Sequence, residues 1–227
     1  MNEGIHHEIP VSVAEAERIQ AELSRHVDLS RGLPKMPNIV AGVDVSYDKT
    51  SARVAAAAVL IDLSSLAVSE VSIVHGEASF PYVPGLLAFR EVPILLEALE
   101  GLTGRPDVLV CDGYGVAHPR RFGLACHLGV LTSLPTFGVA KTAFTTAYDE
   151  PGTARGEWST LRDSGTVLGR ALRTQPNIRP VFVSVGHRIS LDEATSLTLR
   201  LSDKYRIPEA IRKADSLSRE ALRLAAS

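Results

Sequence analysis

Cysteine is scarce in this chain: Cys111 and Cys126 are the two in 227 residues. Both lie in apolar stretches, so they read as reduced core thiols rather than a bridge, and no Cys/His spacing resembles a zinc site. Long hydrophobic runs are also missing. The longest, Val54 to Ile61, is far too short to span a bilayer. The segment Met1 to Pro10 is polar, carries Glu3 and Glu8, and lacks the apolar stretch of a secretory signal. These absences predict a cytoplasmic protein with no membrane association. Nor is there an excess of positive charge: 24 Lys and Arg stand against 26 Asp and Glu, a net charge of -2. A nucleic-acid binder is often basic overall, so any attraction for a polyanion must be local here, and an acidic metal cluster would itself lower the total. There is no internal repeat, low-complexity tract or Walker-type phosphate loop.

What remains is an ordinary globular composition, 45% hydrophobic and 22% charged. The length suits one domain spanning 1–227, with an N-terminal helical segment, 1–32, packed on it. A monomer without an obligate protein partner is expected. Ser12 with Glu15 has capping-box spacing, and Ala16, Ile19, Leu23 and Val27 continue as a helix to about His26. Three strand-like runs follow, Ile39–Ser46, Arg53–Asp62 and Ala67–Gly76, separated by turn residues as in an antiparallel meander. The loop Phe80–Gly85 leads into a helix with Leu87, Ile94, Leu95, Ala98 and Leu99 on one stripe, where Pro93 predicts a kink or break. Val108–Cys111 reads as a short buried strand, Arg121–Leu131 as a helix and Pro135–Val139 as another strand. Tyr148–Trp158 reads as a turn-rich excursion. Val167–Leu172 and Val181–Val185 are strand candidates. Ser190 and Glu193 cap a helix to about Lys204, and Pro208 suits the first position of a last helix. A meander joined to parallel crossovers predicts an α/β fold, a mixed sheet flanked by helices.

Chemistry shows where carboxylates interrupt apolar pattern. Asp44 sits inside the strand Val40-Ala41-Gly42-Val43-Asp44-Val45, against its β-propensity. Glu91 falls on the apolar stripe of its helix, four after Leu87 and three before Ile94. Asp112 ends a buried-type strand, where open α/β sheets place ligands. Asp215 borders the stripe Ile207, Ile211, Ala214 and Leu217. A buried carboxylate needs a cation or strong donors. An oxygen-only set without Cys selects hard ions, Mg²⁺ or, as a substitute, Mn²⁺. Such ions bridge phosphate oxygens and generate a hydroxide nucleophile. Acids from a first strand, a helix, a fourth strand and a late helix are the set that a ribonuclease H-like nuclease fold presents, although fold alone does not determine function.

Five stretches, in order, resemble the endonuclease V family. They are Gly42-Val43-Asp44-Val45-Ser46-Tyr47; Pro81-Tyr82-Val83-Pro84-Gly85 with Ala88-Phe89-Arg90-Glu91; Asp112 through Arg121; Gly138-Val139-Ala140-Lys141; and Val185-Gly186-His187-Arg188. The likeness covers roughly residues 38 to 215. Val83 stands where Ile is commoner, and Cys126 where a small hydroxyl residue is common. The resemblance implies a ribonuclease H-like fold, Mg²⁺ dependence and DNA repair. The expected reaction is a nick at the second phosphodiester 3′ to deoxyinosine in double- or single-stranded DNA, leaving 3′-hydroxyl and 5′-phosphate ends. It also implies Asp44 and Asp112 as the principal metal ligands, Glu91 as a third acid and, on the Asp form of a position that is His in some members, Asp215 as a fourth. Tyr82 matches a wedge that supports the opened strand.

The residues themselves fit that reading. Tyr82 between Pro81 and Pro84 is a stiff aromatic able to stack on a base or fill its place. Gly85, Gly113, Gly123 and Gly138 offer close backbone approach to an extruded base. Lys141 is expected to offset charge at the scissile phosphate, and His118 and Arg120 to meet phosphate. Arg90 has two readings, a phosphate contact or a carboxylate partner. His187 has two as well, an anion contact or a structural role. Other functions stay open at this point: an inosine-specific endoribonuclease, a nuclease-fold protein that binds nucleic acid without cutting it, and a phosphotransferase suggested by Asp112-Gly113-Tyr114-Gly115.

Overall fold

The structure, a computed structural model, describes residues 9–144 and 148–225; residues 1–8 of the expected N-terminal segment lie outside the described residues. Helix α1 (Val13–Leu23) is capped by the Ser12 hydroxyl, which accepts from the Glu15 amide, and a 3₁₀ turn carries it on to His26. The reciprocal half of the expected box is displaced, because the Glu15 carboxylate takes the Val11 amide.

Strands β1 (Ile39–Tyr47), β2 (Arg53–Asp62) and β3 (Val68–Glu77) form the expected meander. Strands β4 (Val108–Cys111) and β5 (Thr136–Ala140) join β1 in parallel. The sheet then turns antiparallel through β8 (Val181–His187), β7 (Thr166–Leu172) and β6 (Trp158–Asp163). The eight strands run β3-β2-β1-β4-β5-β8-β7-β6, the mixed, ribonuclease H-like sheet expected. Strand β6 was not legible in sequence. Its hairpin turns at Ser164 and Gly165, both at positive φ, as a tight two-residue β-turn requires.

Alternation assigns the two sheet faces. Ala41, Val43, Ala56, Ala58, Leu109 and Cys111 pack under α2 (Leu87–Glu100) and α3 (Leu124–Thr132). Val40, Ala57, Val59, Val110 and Val139 pack under α4 (Leu191–Leu201) and α5 (Glu209–Leu224). Helix α1 adds Ala16, Ile19 and Leu23 to a third cluster with Phe80, Leu86, Phe89 and Phe122. The Ser190–Glu193 capping box is complete in both directions.

Three expectations need adjustment. Of the two outcomes expected at Pro93, the break does not occur, since α2 continues through it; burial of Val92, Ile94, Leu95 and Ala98 on the sheet outweighs the ~3 kcal/mol a mid-helix proline costs. Helix α3 begins at Leu124, not Arg121, because Arg121 is left-handed (φ 56°) and Gly123 is the N-cap. Pro208 precedes α5 as its N-cap rather than opening it. Cys111 and Cys126 are buried and unbridged, as expected.

Candidate active site

Register brings the first two acids together. Val43 of β1 is the partner of Cys111 in parallel β4, so Asp44 and Asp112 are the next residues on neighbouring strands, about one ~4.8 Å strand spacing apart. Both share the parity of Val40 and Val110 and so face α5. Strand β1 continues to Tyr47 with only β2 beside it, which leaves the flank next to Asp112 open.

Helix α5 supplies the third side. At Gly42 an added Cβ would collide with the Ala210 backbone, so helix and strand touch there. Four strand residues advance ~13 Å and eight helical residues ~12 Å. Ser218 therefore meets Ser46 and Asp44: its hydroxyl lies 2.8 Å from the Ser46 hydroxyl and donates to Asp44 Oδ2 at 2.8 Å. Asp215, one turn earlier, lines the same groove as Asp44 and Lys141, and its Oδ1 accepts from Arg219 Nε at 2.8 Å and Nη2 at 2.7 Å. Lys141, just past β5, reaches Asp112 Oδ2 at 2.5 Å. Glu91 comes from the opposite face, buried on α2, and accepts from the Tyr47 hydroxyl at 2.9 Å.

Electrostatics mark the cluster as short of positive charge. Burial pushes Asp44 up to about 6; Ser218 and Lys141 oppose the rise, while Asp112 and Asp215 add to it. Burial pushes Glu91 up to about 8, resisted by Tyr47 and Arg90 and reinforced by Asp44 and Asp112. Burial pulls the Lys141 ammonium down, but Asp112, Asp215 and Asp44 outweigh it and hold its pKa above the usual value.

These residues fit a hard divalent ion. Their donors are all oxygen, and neighbouring carboxylates add to the raised proton affinity of Asp44 and Glu91, a repulsion that a cation relieves. Among the described residues no three His, Cys, Asp or Glu side chains are gathered tightly enough to hold an ion unaided.

A cavity of about 280 Å³ opens beside the acids and shares Asp112 with them. Tyr82, Gly85, Gly113, His118 and Gly123 line it, as do Gln20, Tyr114, Phe122 and Phe144. Tyr82 is 70% exposed on its loop. Gly85 (φ +81°) and Gly113 (φ +152°) hold backbone that other residues adopt only with strain.

Other predicted residues do different work. Gly138 does not line the cavity. A Cβ there would strike the Gly113 carbonyl, so it makes room for the turn that carries Asp112. At Gly123 a Cβ would strike the Tyr114 carbonyl. Arg120 points into the protein, donating from Nη2 to the Gly85 carbonyl at 2.9 Å and from Nε to Gln20 Oε1, and pairing with Glu17 at 3.3 Å. His118 is buried, and burial with the Arg120 and Arg121 charges lowers its pKa to about 4. The lowered pKa favours the neutral ring, and His118 lines the cavity. Arg90 donates to the Phe80 carbonyl at 2.9 Å and lies 4.7 Å from the Tyr47 ring centre. His187 is structural: it is buried and accepts the Asp28 amide at 3.1 Å.

Sequence reasoning missed Gln20, Tyr47 and Ser218. Gln20 carried a readable signal, because it lies on the α1 stripe four after Ala16 and three before Leu23, the same anomaly that exposed Glu91. Tyr47 and Ser218 carried none, since their partners come from other elements.

A family model described as Endonuclease V matches residues 21–216. An Endonuclease V from Streptomyces avermitilis is 55% identical over 215 residues, covering 94% of each chain. The crystal structure of an Endonuclease V from that organism has a TM-score of 0.93 at 54% identity, covering 98% of both chains. A Ciona intestinalis Endonuclease V, solved with a 24mer DNA containing an inosine followed by a ribo-adenosine, has a TM-score of 0.83 at 29% identity, covering 94% of this chain and 98% of that one.

Proposed function

The chain belongs to the endonuclease V family, and from that premise we propose that this nuclease is a Mg²⁺-dependent, cytoplasmic DNA-repair enzyme that nicks the second phosphodiester 3′ to deoxyinosine. One observation carries the reading. A small cavity and an acid cluster fit for a divalent ion share Asp112, so a base held in one leaves its own strand at the other. The cavity lies just below the ~300–1,000 Å³ of drug-sized sites, which suits a single extruded base. The relative from Ciona intestinalis, which binds inosine-containing DNA, supports the choice of base. The two free buried thiols suit a reducing compartment.

Asp44 and Asp112 would hold the ion, with Mn²⁺ as a substitute, and Glu91 and Asp215 would support it or a second one from either side. Bound there, the ion supplies Lewis-acid neutralisation of the phosphate and a more acidic water. Lys141 offsets the charge that grows on phosphorus-bound oxygen. A water oxygen bonds to phosphorus as the bond to the 3′ oxygen breaks. A carboxylate of the cluster takes the water's proton, and the 3′ oxygen takes a proton from a solvent water and departs as a hydroxyl, leaving the phosphate on the 5′ end. Tyr82 fills the space of the extruded base.

The test uses matched duplexes with one inosine or one adenosine, with Mg²⁺ and with chelator. The expected result is a single nick at the second 3′ phosphodiester of the inosine strand, lost on chelation. Equal cutting of both duplexes, or cutting in chelator, overturns the reading. The ribo-adenosine beside inosine in the relative's complex favours one second reading, an inosine-specific endoribonuclease. An RNA strand with one inosine, cut faster than its DNA counterpart, would establish that instead.

A further inference from the structure

Lys141 lines two grooves besides bonding to Asp112. One is the groove already described, which also carries the carboxylates of Asp44, Asp48 and Asp215. The other runs between the loop after β5 and the turns ahead of β8 and α5, where Thr142, Tyr148, Glu150, Arg179 and Arg206 line it. Its carboxylate, Glu150, is already held by Arg173 Nη2 at 2.8 Å. What this second groove offers a ligand is therefore positive charge, from Lys141, Arg179 and Arg206.

Arg206 is anchored on neutral atoms. Its Nε donates to the Arg179 carbonyl at 2.9 Å, and its Nη2 donates to the Lys141 carbonyl at 2.7 Å and the Pro180 carbonyl at 2.8 Å. Its Nη1 makes no hydrogen bond among the described residues. Arg179 is exposed, and its guanidinium has no partner among the described residues. Burial lowers the Arg206 pKa and the Arg179 charge lowers it further, so two guanidiniums repel each other with no acid paired to either. An anion between them relieves that repulsion, and guanidinium forks match phosphate oxygens.

We infer that Arg179 and Arg206 form a phosphate subsite, which holds the backbone of the nicked strand on the 3′ side of the scissile bond. The base cavity meets the acids at Asp112, and this groove meets them at Lys141. A strand with its inosine in the cavity and its scissile phosphate at the acids therefore continues along the groove. The alternative path past Asp44, Asp48 and Asp215 sets three carboxylates against a backbone of the same sign. The inference rests on the proposal that the cavity receives the extruded base. It supplies the local attraction that a chain of net charge -2 needs to hold a polyanion.

Arg179→Ala is the cleaner probe, because Arg179 meets Arg206 through its backbone carbonyl, which the substitution keeps. The experiment measures single-turnover nicking of the inosine duplex with Mg²⁺ and reads the enzyme concentration that gives half the maximal rate. A methylphosphonate, which removes the charge of one phosphate, is placed in turn at each phosphodiester on the 3′ side of the nick and, as a control, on the 5′ side of the inosine. The expected result in wild-type protein is one 3′ position at which neutralisation raises the half-saturating concentration about three- to tenfold. Arg179→Ala should raise it by a similar factor, and the two changes together should raise it no further. The slope of its logarithm against log salt should also fall by about one in the variant. A purely structural role would leave the two effects multiplying at every position. Effects that multiply at every 3′ phosphate, or a shared effect on the 5′ side alone, overturn the inference. If Arg179→Ala does not fold, Arg179→Gln is read in the same way. Wild-type protein that does not nick at the second 3′ phosphodiester would instead overturn the underlying reading of the cavity and the acids, so the two failures are distinguishable.

Discussion

The acid cluster and the cavity share Asp112 and differ in how far the fold completes them. In the cluster, folding creates a deficit. Asp44 is held at about 6 and Glu91 at about 8, mainly by burial and then by neighbouring carboxylates, and the Lys141 ammonium is bonded to Asp112. In the cavity, Gln20, Arg120 and His118 partner one another and the Gly85 carbonyl. A reaction centre that must take up an ion and a phosphate retains unmet demand for positive charge. On the proposed reading of the cavity as a base site, its wall is set beforehand by bonds within the protein.

The sharpest way to break this contrast is to remove an acid. Asp44→Ala or Asp112→Ala should lower single-turnover nicking by about a thousandfold or more, on the scale of losing a catalytic group. The melting temperature of the metal-free protein should hold or rise, because a repelling carboxylate has gone. Retained nicking in either folded variant would show that the cluster is not the reaction centre.

A second test separates demand for charge from ordinary burial. Glu91 has a folded pKa near 8, raised above its usual 4.5 by burial, then by Asp44 and Asp112. Between those values the folded state binds more protons than the unfolded state. Metal-free stability should therefore be fully present below about pH 4.5 and decline as pH rises towards 8. Glu91→Gln should flatten that decline and raise the metal-free melting temperature at pH 8 by several degrees, at ~2–4 °C per kcal/mol for a chain of this length. Added Mg²⁺ should raise the wild-type melting temperature at pH 8. A pH-independent melt that ignores Mg²⁺ would mean that the acids carry no unmet demand.

The smallest expected effect lies at Ser218, whose hydroxyl lowers the Asp44 pKa by a hydrogen bond. Ser218→Ala should lower the rate a few-fold and move the acid limb of the pH–rate profile upward, because Asp44 protonates more readily without that donor. A slower enzyme with an unmoved acid limb would make Ser218 a packing residue.

Much of the fold was legible because its signals are local. Ser190 with Glu193 marked a helix start, and the runs at 39–46 and 53–62 marked strands whose partners follow at once. Strand β6 escaped because its residues are mostly polar and Leu161 alone of the six is buried, leaving Ser164-Gly165 as a lone turn signal. The break expected at Pro93 did not occur, because proline's cost is local and the packing that offsets it is not.

Asp44, Glu91 and Asp112 were determined by sequence alone as chemically abnormal, since a carboxylate where an apolar face is due is visible from its neighbours. Their association was decided only by tertiary structure. The β1–β4 register sets Asp44 beside Asp112, the parallel advance of α5 along β1 delivers Ser218 and Asp215, and α2 delivers Glu91 from the other face. The same division holds for the cavity. Tyr82 and its glycines could be read from the chain, but the Gln20 and Arg120 bonds span 65 and 35 residues to reach Gly85, and no local pattern encodes a contact that packing alone creates.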